Sequence, residues 1–282
     1  MAGELWRTRT NQFKRLLGEG KVATAYFSTI PWPPGLEIAG AYQMDAAIID
    51  LEHSEIGLQT LEHLMTAAQG RGMTALVRPP GMDAALVSRI LDSGADGILF
   101  PHVETVEHAH RAARSMRYPP AGTRGWGGAH TRAALWQGRS VLDGGLPEDR
   151  GVYSREYTDR SAAELVFGLL IESPPGVEAI GEILDAAAPD FVMFGRGDFS
   201  AEVSFDAGAC DAAFDAVYSA ARRRGIGVSL APSQAEKFYP GCFTTVGLDA
   251  LWLSAAVERA VRDGRAAFEK AAAAASAHPR PD

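Results

Sequence analysis

A single α/β chain folded as one (β/α)8 TIM barrel is what this sequence predicts, and three observations predict it. Short β-like apolar runs alternate with longer helix-like stretches almost from end to end of the 282 residues, which is the pattern of parallel βα units. Eight such runs can be counted, the number that closes a barrel in roughly 250 residues. Four of them stop on or just before a residue able to do polar chemistry: 46–51 on Glu52-His53, 74–77 on Arg78, 165–171 on Glu172, and 191–195 on Asp198. In a barrel of parallel strands those ends share one face. A doubly wound open sheet is the rival, but no Gly-rich phosphate fingerprint follows the first run and the reactive ends are spread along the chain.

Taken in order, strands are expected at 22–28, 46–51, 74–78, 98–101, 166–172, 191–195, 226–230 and 250–254. Helical periodicity marks 58–69, 84–91, 106–116, 176–188, 209–224 and 255–275, with Gly or Pro near several boundaries. The rhythm breaks from Tyr118 to about Ser161, where the chain turns polar and Gly-rich. An insertion this long (126–161 in the domain plan) is commonly a lid, a subunit contact or a mobile loop, and Arg124 and Trp126 are placed near the barrel mouth. The plan is thus one barrel domain over 1–276 and a disordered tail over 277–282.

A net charge of -8 and the lack of any Lys/Arg block argue against nucleic acid as a partner. With 46% hydrophobic and 22% charged residues the make-up is that of a soluble globular protein. No run approaches the roughly 20 apolar residues of a membrane span, and the first 20 residues do not read as a secretory signal. Cys210 and Cys242 are too few for a disulfide framework and lack metal-ligand spacing, which fits a reducing, cytoplasmic setting.

The strand ends supply the candidate chemistry. Glu172 and Asp198 follow neighbouring runs and would suit a hard, oxygen-liking ion, Mg²⁺ or Mn²⁺ first, with Co²⁺ or Zn²⁺ also admissible. The plainer reading is an N-cap for Asp198 and a salt-bridged strand end for Glu172. His53, three residues after Asp50, is either a general base held by a carboxylate or a histidine bonded to backbone. Arg78 offers a fixed charge and a fork for a carboxylate or enolate oxygen, or else a structural ion pair. Gly197 and Asp198 lie in a turn whose N–H groups could cradle an anion. His102 ends the fourth run and stays a candidate; His63, His108, His110 and His278 read as solvated, and His130 falls in the insertion. Lysine occurs only at Lys14, Lys21, Lys237 and Lys270, none at a strand's C-terminal end, so imine chemistry has no nucleophile there.

At these residues the sequence resembles the HpcH/HpaI aldolase family, the metal-dependent (class II) pyruvate aldolases. The matching segments are Ile48-Ile49-Asp50-Leu51-Glu52-His53, Val77-Arg78-Pro79, Leu91-Asp92-Ser93-Gly94, Tyr118-Pro119-Pro120-Ala121-Gly122-Thr123-Arg124-Gly125, Ile171-Glu172-Ser173 and Gly195-Arg196-Gly197-Asp198-Phe199-Ser200. They occur in the family's order and cover roughly residues 12 to 270. The resemblance implies Glu172 and Asp198 as metal ligands, with Glu52 behind them holding water on the ion. It implies His53 as acid/base, supported by Asp50 and by Asp92 from an adjoining subunit. Arg78 would bind the keto-acid and steady its enolate, and the Gly197 and Asp198 backbone would meet its carboxylate. It further implies a last helix exchanged between subunits and a homo-oligomer, trimer or hexamer, acting on a 2-oxo acid and an aldehyde.

The chain departs from the family pattern beside these residues and in its 130–160 insertion, which is longer than in the simple aldolases. Leu170 stands where these aldolases usually carry Gln, Arg196 replaces a usual Pro and adds a cation at the rim, and Phe27 stands at a usual Trp position. Arg124, Arg196 and Leu170 therefore join the substrate-binding candidates. The expected activity is carbon–carbon lyase chemistry making or cleaving 4-hydroxy-2-oxo acids through a pyruvate enolate. Two alternatives stand beside it: a related enzyme that uses oxaloacetate or another 2-oxo acid, and a catalytically silent binding or assembly subunit.

Overall fold

A computed structural model describes residues 10–127, 131–137 and 150–277 of the chain. Eight parallel strands close into one barrel in sequence order: β1 (Thr24–Ser28), β2 (Ala46–Asp50), β3 (Thr74–Arg78), β4 (Gly97–Phe100), β5 (Val166–Ile171), β6 (Phe191–Phe194), β7 (Gly227–Leu230) and β8 (Phe243–Leu248). The helices are α1 (Gln12–Gly18), α2 (Pro33–Ala41), α3 (Leu58–Gly70), α4 (Ala84–Asp92), α5 (Val106–Met116), α6 (Arg132–Gln137), α7 (Arg150–Glu164), α8 (Pro174–Glu178), α9 (Ile180–Ala187), α10 (Arg196–Glu202), α11 (Ala207–Arg224) and α12 (Asp249–Ala277).

Two-residue alternation along each strand splits the core into two layers. Ala46, Ile48, Leu76, Leu99, Val166, Leu170, Phe191, Met193 and Phe243 fill the barrel interior, whereas Ala47, Ile49, Ala75, Val77, Ile98, Leu169, Ile171, Val192 and Val228 face the helices. Both faces of a strand are therefore buried, which is why β2, β3 and β5 read as unbroken apolar runs.

Continued upward, the interior alternation reaches Asp50 after Ile48, Arg78 after Leu76 and Glu172 after Leu170. The register pairs Ala46 with Thr74 and, at the other end, Asp50 with Arg78.

The opposite end of the barrel is closed by α1. Asn11 caps it through the N–H of Lys14, and Phe13 inserts between Phe191 and Phe243 with ring centroids 6.3 and 5.0 Å away, both edge-on. Burying a ring of that size is worth about 1.5–3 kcal/mol. The apolar stripe Phe13, Leu16, Leu17 carries this plug, in a stretch that reads as polar overall.

Two expectations change. The eighth strand is Phe243–Leu248, not 250–254, which belongs to α12. Phe243-Thr244-Thr245-Val246 has the β-branched content of a strand. The more apolar stretch Leu251-Trp252-Leu253 owes its apolarity to a helix face that this chain leaves exposed. The 176–188 helix is two helices, α8 and α9.

The interval from Tyr118 to Ser161, expected to have little periodicity, contains α6 and most of α7; Ala133, Ala134 and Tyr157 are buried, the latter two packing with Tyr118. His130, 138–149 and 278–282 lie outside the described residues.

Candidate functional site

Asp50, Glu52, Arg78, His102 and Glu172 meet at the C-terminal mouth of the barrel. Asp50 (1% exposed) grips Arg78 with both oxygens: Nε donates to Oδ1 at 2.9 Å and Nη2 to Oδ2 at 2.6 Å. Arg78 Nη1 lies 3.1 Å from Glu52 Oε2, and its guanidinium stands 5.1 Å from the Phe27 ring centre. Burial disfavours the Arg78 charge, but Asp50, Glu52 and Glu172 together outweigh it and raise its pKa. A planar fork fixed in this way points in one direction.

Glu172 is 3% exposed. Its Oε1 accepts the backbone N–H of His102 at 2.7 Å, while Oε2 is buried with no hydrogen-bond partner. Burial pushes its pKa up to about 7; the His102 N–H works the other way, and the charges of Glu52 and Asp198 add to the rise. Glu52 Oε2 is likewise buried without a hydrogen bond, although Arg78 lies within ion-pair distance. A buried carboxylate oxygen with no donor is costly unless something binds it.

Glu52, His102 and Glu172 each offer a ligand atom, and those atoms lie within 4.8 Å of one another. Among the described residues this is a carboxylate and imidazole group able to hold a metal ion, and the donors fit one. The backbone of Gly195 makes room for the Glu172 side chain: a Cβ there would stand 2.6 Å from Glu172 Cβ and 2.8 Å from Oε2.

The other expected residues are placed as follows. His53 is half exposed at the mouth, with Nε2 3.9 Å from both Glu52 Oε2 and Asp198 Oδ2. Asp50 does not hold its imidazole: Asp50 Oδ1 accepts the backbone N–H groups of Glu52 at 3.0 Å and His53 at 3.4 Å, and the rest of its capacity goes to Arg78. Asp198, in the first turn of α10, is half exposed and stands outside the tight Glu52, His102, Glu172 group. Gly197 shares that turn, and a Cβ on it would meet nothing within 4 Å.

Leu170 is 1% exposed and belongs to the interior core, below Glu172. Arg196 is engaged by Asp211 of α11, its Nη1 donating at 2.7 Å, so the rim cation is already paired with a helix outside the barrel.

Arg124 is not near the mouth. It follows α5, which returns to the strands' N-terminal end, and its Nη2 donates to Asp92 Oδ1 at 2.7 Å, at the last residue of α4. Strict βα alternation carries the signal for this, because whatever follows a barrel helix starts at the bottom. Asp92 is at the same end, remote from Glu172 within one chain, and Trp126 packs there against Tyr118 and Tyr157. His102 is the residue whose importance sequence reasoning left undecided; its position at the end of the fourth run is the only signal for it.

Among the described residues no helix is long and apolar enough to cross a membrane. The family model for HpcH/HpaI aldolase/citrate lyase matches residues 26–250. A 2-keto-3-deoxy-L-rhamnonate aldolase of Klebsiella pneumoniae is 31% identical over 261 residues, covering 89% of this chain and 91% of its own. A hydroxypyruvate/pyruvate aldolase of Paraburkholderia phytofirmans is 30% identical over 275 residues, covering 94% and 96%. The crystal structure of an HpcH/HpaI aldolase from Desulfitobacterium hafniense has a TM-score of 0.73 at 26% identity, over 89% of this chain and 95% of that one. With the mouth geometry and these relatives in agreement, the chain belongs to the HpcH/HpaI aldolase/citrate lyase family and is a carbon–carbon lyase of the aldolase type.

Proposed function

We propose that this chain is a divalent-metal-dependent aldolase that makes or cleaves 4-hydroxy-2-oxo acids through the enolate of pyruvate. The observation that carries the reading is a pair of glutamates with buried side chains, Glu52 and Glu172, whose Oε2 atoms accept no hydrogen bond, that of Glu52 facing Arg78 at 3.1 Å, beside an arginine locked by Asp50. Glu172 and Asp198 would hold the ion with Glu52 beside them, and the all-carboxylate part of this set suits Mg²⁺ or Mn²⁺. A divalent ion bound there supplies Lewis-acid polarisation of the substrate carbonyl.

The chain's own residues do the rest. Arg78, aimed by Asp50 and lying over the Phe27 ring, binds the 2-oxo acid and stabilises negative charge as it develops on the enolate oxygen. His53 is the half-exposed imidazole that carries the proton between the substrate and the mouth, with Glu52 and Asp198 within 3.9 Å of its Nε2. The N–H groups of Gly197 and Asp198 open α10 and have no intrahelical acceptor, so they would meet the substrate carboxylate. Leu170 makes the floor below Glu172 apolar, where an amide would otherwise touch the keto-acid.

A homo-oligomer completes the reading. α12 leaves the barrel with Leu251, Leu253, Val257, Val261 and Phe268 exposed, and an apolar cavity of about 320 Å³ lies between its first turn and α2, lined by Tyr26, Trp32, Ile38 and Tyr42. Exchange of α12 between copies would cover both, and Asp92 of a neighbouring copy would be the one to reach the mouth. Sedimentation checks this part: a monomer at micromolar concentration is the contrary result.

The test of the activity is exchange of the pyruvate methyl protons in deuterated buffer with Mg²⁺ or Mn²⁺. Exchange that requires the ion and is lost in Arg78→Met supports the reading; folded protein that exchanges nothing with either ion refutes it.

A further inference from the structure

Building on the aldolase reading, we infer that Ser229 and Thr245 form a hydroxyl-recognising subsite inside the barrel mouth, which selects a 2-oxo acid carrying a hydroxyl group on C3 as the nucleophile.

Strand register places the pair. Followed round the barrel, the pairing stacks the inward side chains in layers of four taken from alternate strands. Phe27, Arg78, Leu170 and Ala231 make the layer at the mouth; Thr245 belongs to the layer beneath it and Ser229 to the next. The other six residues of those two layers, Ala25, Ile48, Leu76, Leu99, Gly168 and Met193, are buried, whereas Ser229 and Thr245 are partly exposed. For Ser229 the exposed side is the inner one, because its neighbours Val228 and Leu230, which face the helices, are buried. The recess opens at Ala231, which has the smallest side chain of the mouth layer and is itself exposed.

Its chemistry is that of a neutral hydroxyl site. Ser229 Oγ and Thr245 Oγ1 stand 2.6 Å apart, so one hydroxyl donates to the other. One proton is left over and both oxygens can still accept; among the described residues the pair makes no further side-chain hydrogen bond. A carboxylate would find no free cation there, since Arg78, the one cation of the three layers, already faces Asp50 and Glu52.

The bound acid points its C3 at this recess. Its carboxylate would lie at the N–H groups that follow β6, and its keto oxygen at Arg78 on β3. One way round between those strands the mouth is filled by His102 and Glu172; the other way lie β7, β8 and β1, where the recess opens. In the reaction C3 loses a proton to His53, the electron pair left behind forms the bond to the aldehyde carbon, and the aldehyde oxygen takes up a proton. The product, a 3,4-dihydroxy-2-oxo acid, contains every atom of the two reactants.

The experiment uses the full chain with Mg²⁺ and compares 3-hydroxypyruvate with 2-oxobutanoate, in which a methyl group replaces the hydroxyl. Exchange of the C3 protons for deuterium is followed by mass spectrometry, with the rate in the absence of protein subtracted, in the unaltered chain, Ser229→Ala and Thr245→Val. Because the two acids differ in acidity, the quantity read is the ratio of their kcat/KM values. That ratio should fall about tenfold or more in each variant, whereas damage to the fold would slow both acids alike. Calorimetry on the unaltered chain should show 3-hydroxypyruvate bound about fivefold or more tighter than 2-oxobutanoate.

A ratio that stays within about twofold in the folded variants would overturn the inference. So would an unaltered chain that binds 2-oxobutanoate at least as tightly, a comparison that decides the matter should neither variant fold. Exchange of pyruvate without exchange of 3-hydroxypyruvate would overturn it and leave the aldolase reading intact; folded protein that exchanges none of the three acids with Mg²⁺ or Mn²⁺ would bring down both.

Discussion

Two buried arginines sit at opposite ends of this barrel and are built alike. Arg78 at the mouth is 8% exposed, pairs with Asp50 and lies over Phe27; Arg124 at the base is 2% exposed, pairs with Asp92 and lies 4.5 Å from the Tyr118 ring centre. Their surroundings differ in charge balance. Around Arg78 stand three carboxylates, Asp50, Glu52 and Glu172; Glu172 keeps a buried oxygen without a hydrogen bond, and the corresponding oxygen of Glu52 meets only the Arg78 charge. Around Arg124 stand one aspartate and the phenols Tyr118 and Tyr157, so that its charge is matched once. A buried arginine is thus no sign of a site by itself. What marks the mouth is the excess of carboxylates over the arginine, gathered around the His102 ring.

The sharpest way to break that contrast is to remove the excess. Glu172→Gln should abolish the stabilisation that saturating Mn²⁺ gives the unaltered chain, about 2.7 kcal/mol at a hundred times the dissociation constant and read as a rise in melting temperature. Aldol cleavage should fall by roughly a thousandfold. In chelator the same variant should melt no lower than the parent, because the neutral amide no longer carries a charge that burial opposes. Melting curves with and without ion read both effects, and a variant that still gains stability from Mn²⁺ would show that the ion is held elsewhere.

Arg78→Met comes next. It leaves Asp50 without its fork partner and should lower kcat/KM for a 4-hydroxy-2-oxo acid by about a hundredfold or more. Steady-state kinetics with saturating ion measures it, and the metal dissociation constant should change far less than kcat/KM.

At the base the corresponding change moves stability alone. Arg124→Met strands Asp92, whose side chain is 26% exposed, and should cost about 2 kcal/mol, or roughly 4–8 °C of melting temperature. Mn²⁺ affinity should not change. The phenols give this end a pH dependence as well. Burial raises the pKa of both Tyr118 and Tyr157 above the ordinary tyrosine value, so the folded state keeps protons that the unfolded chain releases. Their contribution is present below about pH 10 and is lost as pH rises beyond it. Urea midpoints taken from pH 8 upward should stay level at first and then decline, and Arg124→Met, lacking the cation that opposes the rise, should decline more steeply.

The same contrast explains how much could be read before the fold was seen. Strands β2, β3, β5 and β6 were legible because burial on both faces makes them unbroken apolar runs, and Glu52, Arg78 and Glu172 were legible because each interrupts such a run at its end. The eighth strand was obscured by α12, whose exposed Leu251 and Leu253 outweigh the mixed Phe243–Leu248 in any apolarity count. The plug helix α1 was hidden for the opposite reason: only three of its seven residues are buried. Side-chain partners lay further out of reach. That Asp50 would bind Arg78 and the backbone of His53, instead of its imidazole, depends on the register between β2 and β3, which no run of residues displays. His102 needed a left-handed backbone to turn back over Glu172, a conformation that Phe100-Pro101-His102-Val103 does not advertise.

Arg196 gives the finest test, because charge at a mouth and charge in a site are easily confused. Its guanidinium adds a cation beside α10, yet Nη1 already donates to Asp211, and both side chains are at least half exposed. An exposed pair of this kind holds little free energy, about 0–1 kcal/mol, and salt screens what there is. Arg196→Ala should therefore shift the melting temperature by no more than about 3 °C and leave kcat/KM for a 4-hydroxy-2-oxo acid within about twofold. Repeating the kinetics with an acceptor aldehyde that carries a carboxylate separates the two ideas. A tenfold loss confined to that acceptor would mean that Arg196 leaves Asp211 to bind the substrate; equal rates for charged and neutral acceptors would leave it as a surface pair, and the cations that matter would be those facing Glu52 and Glu172.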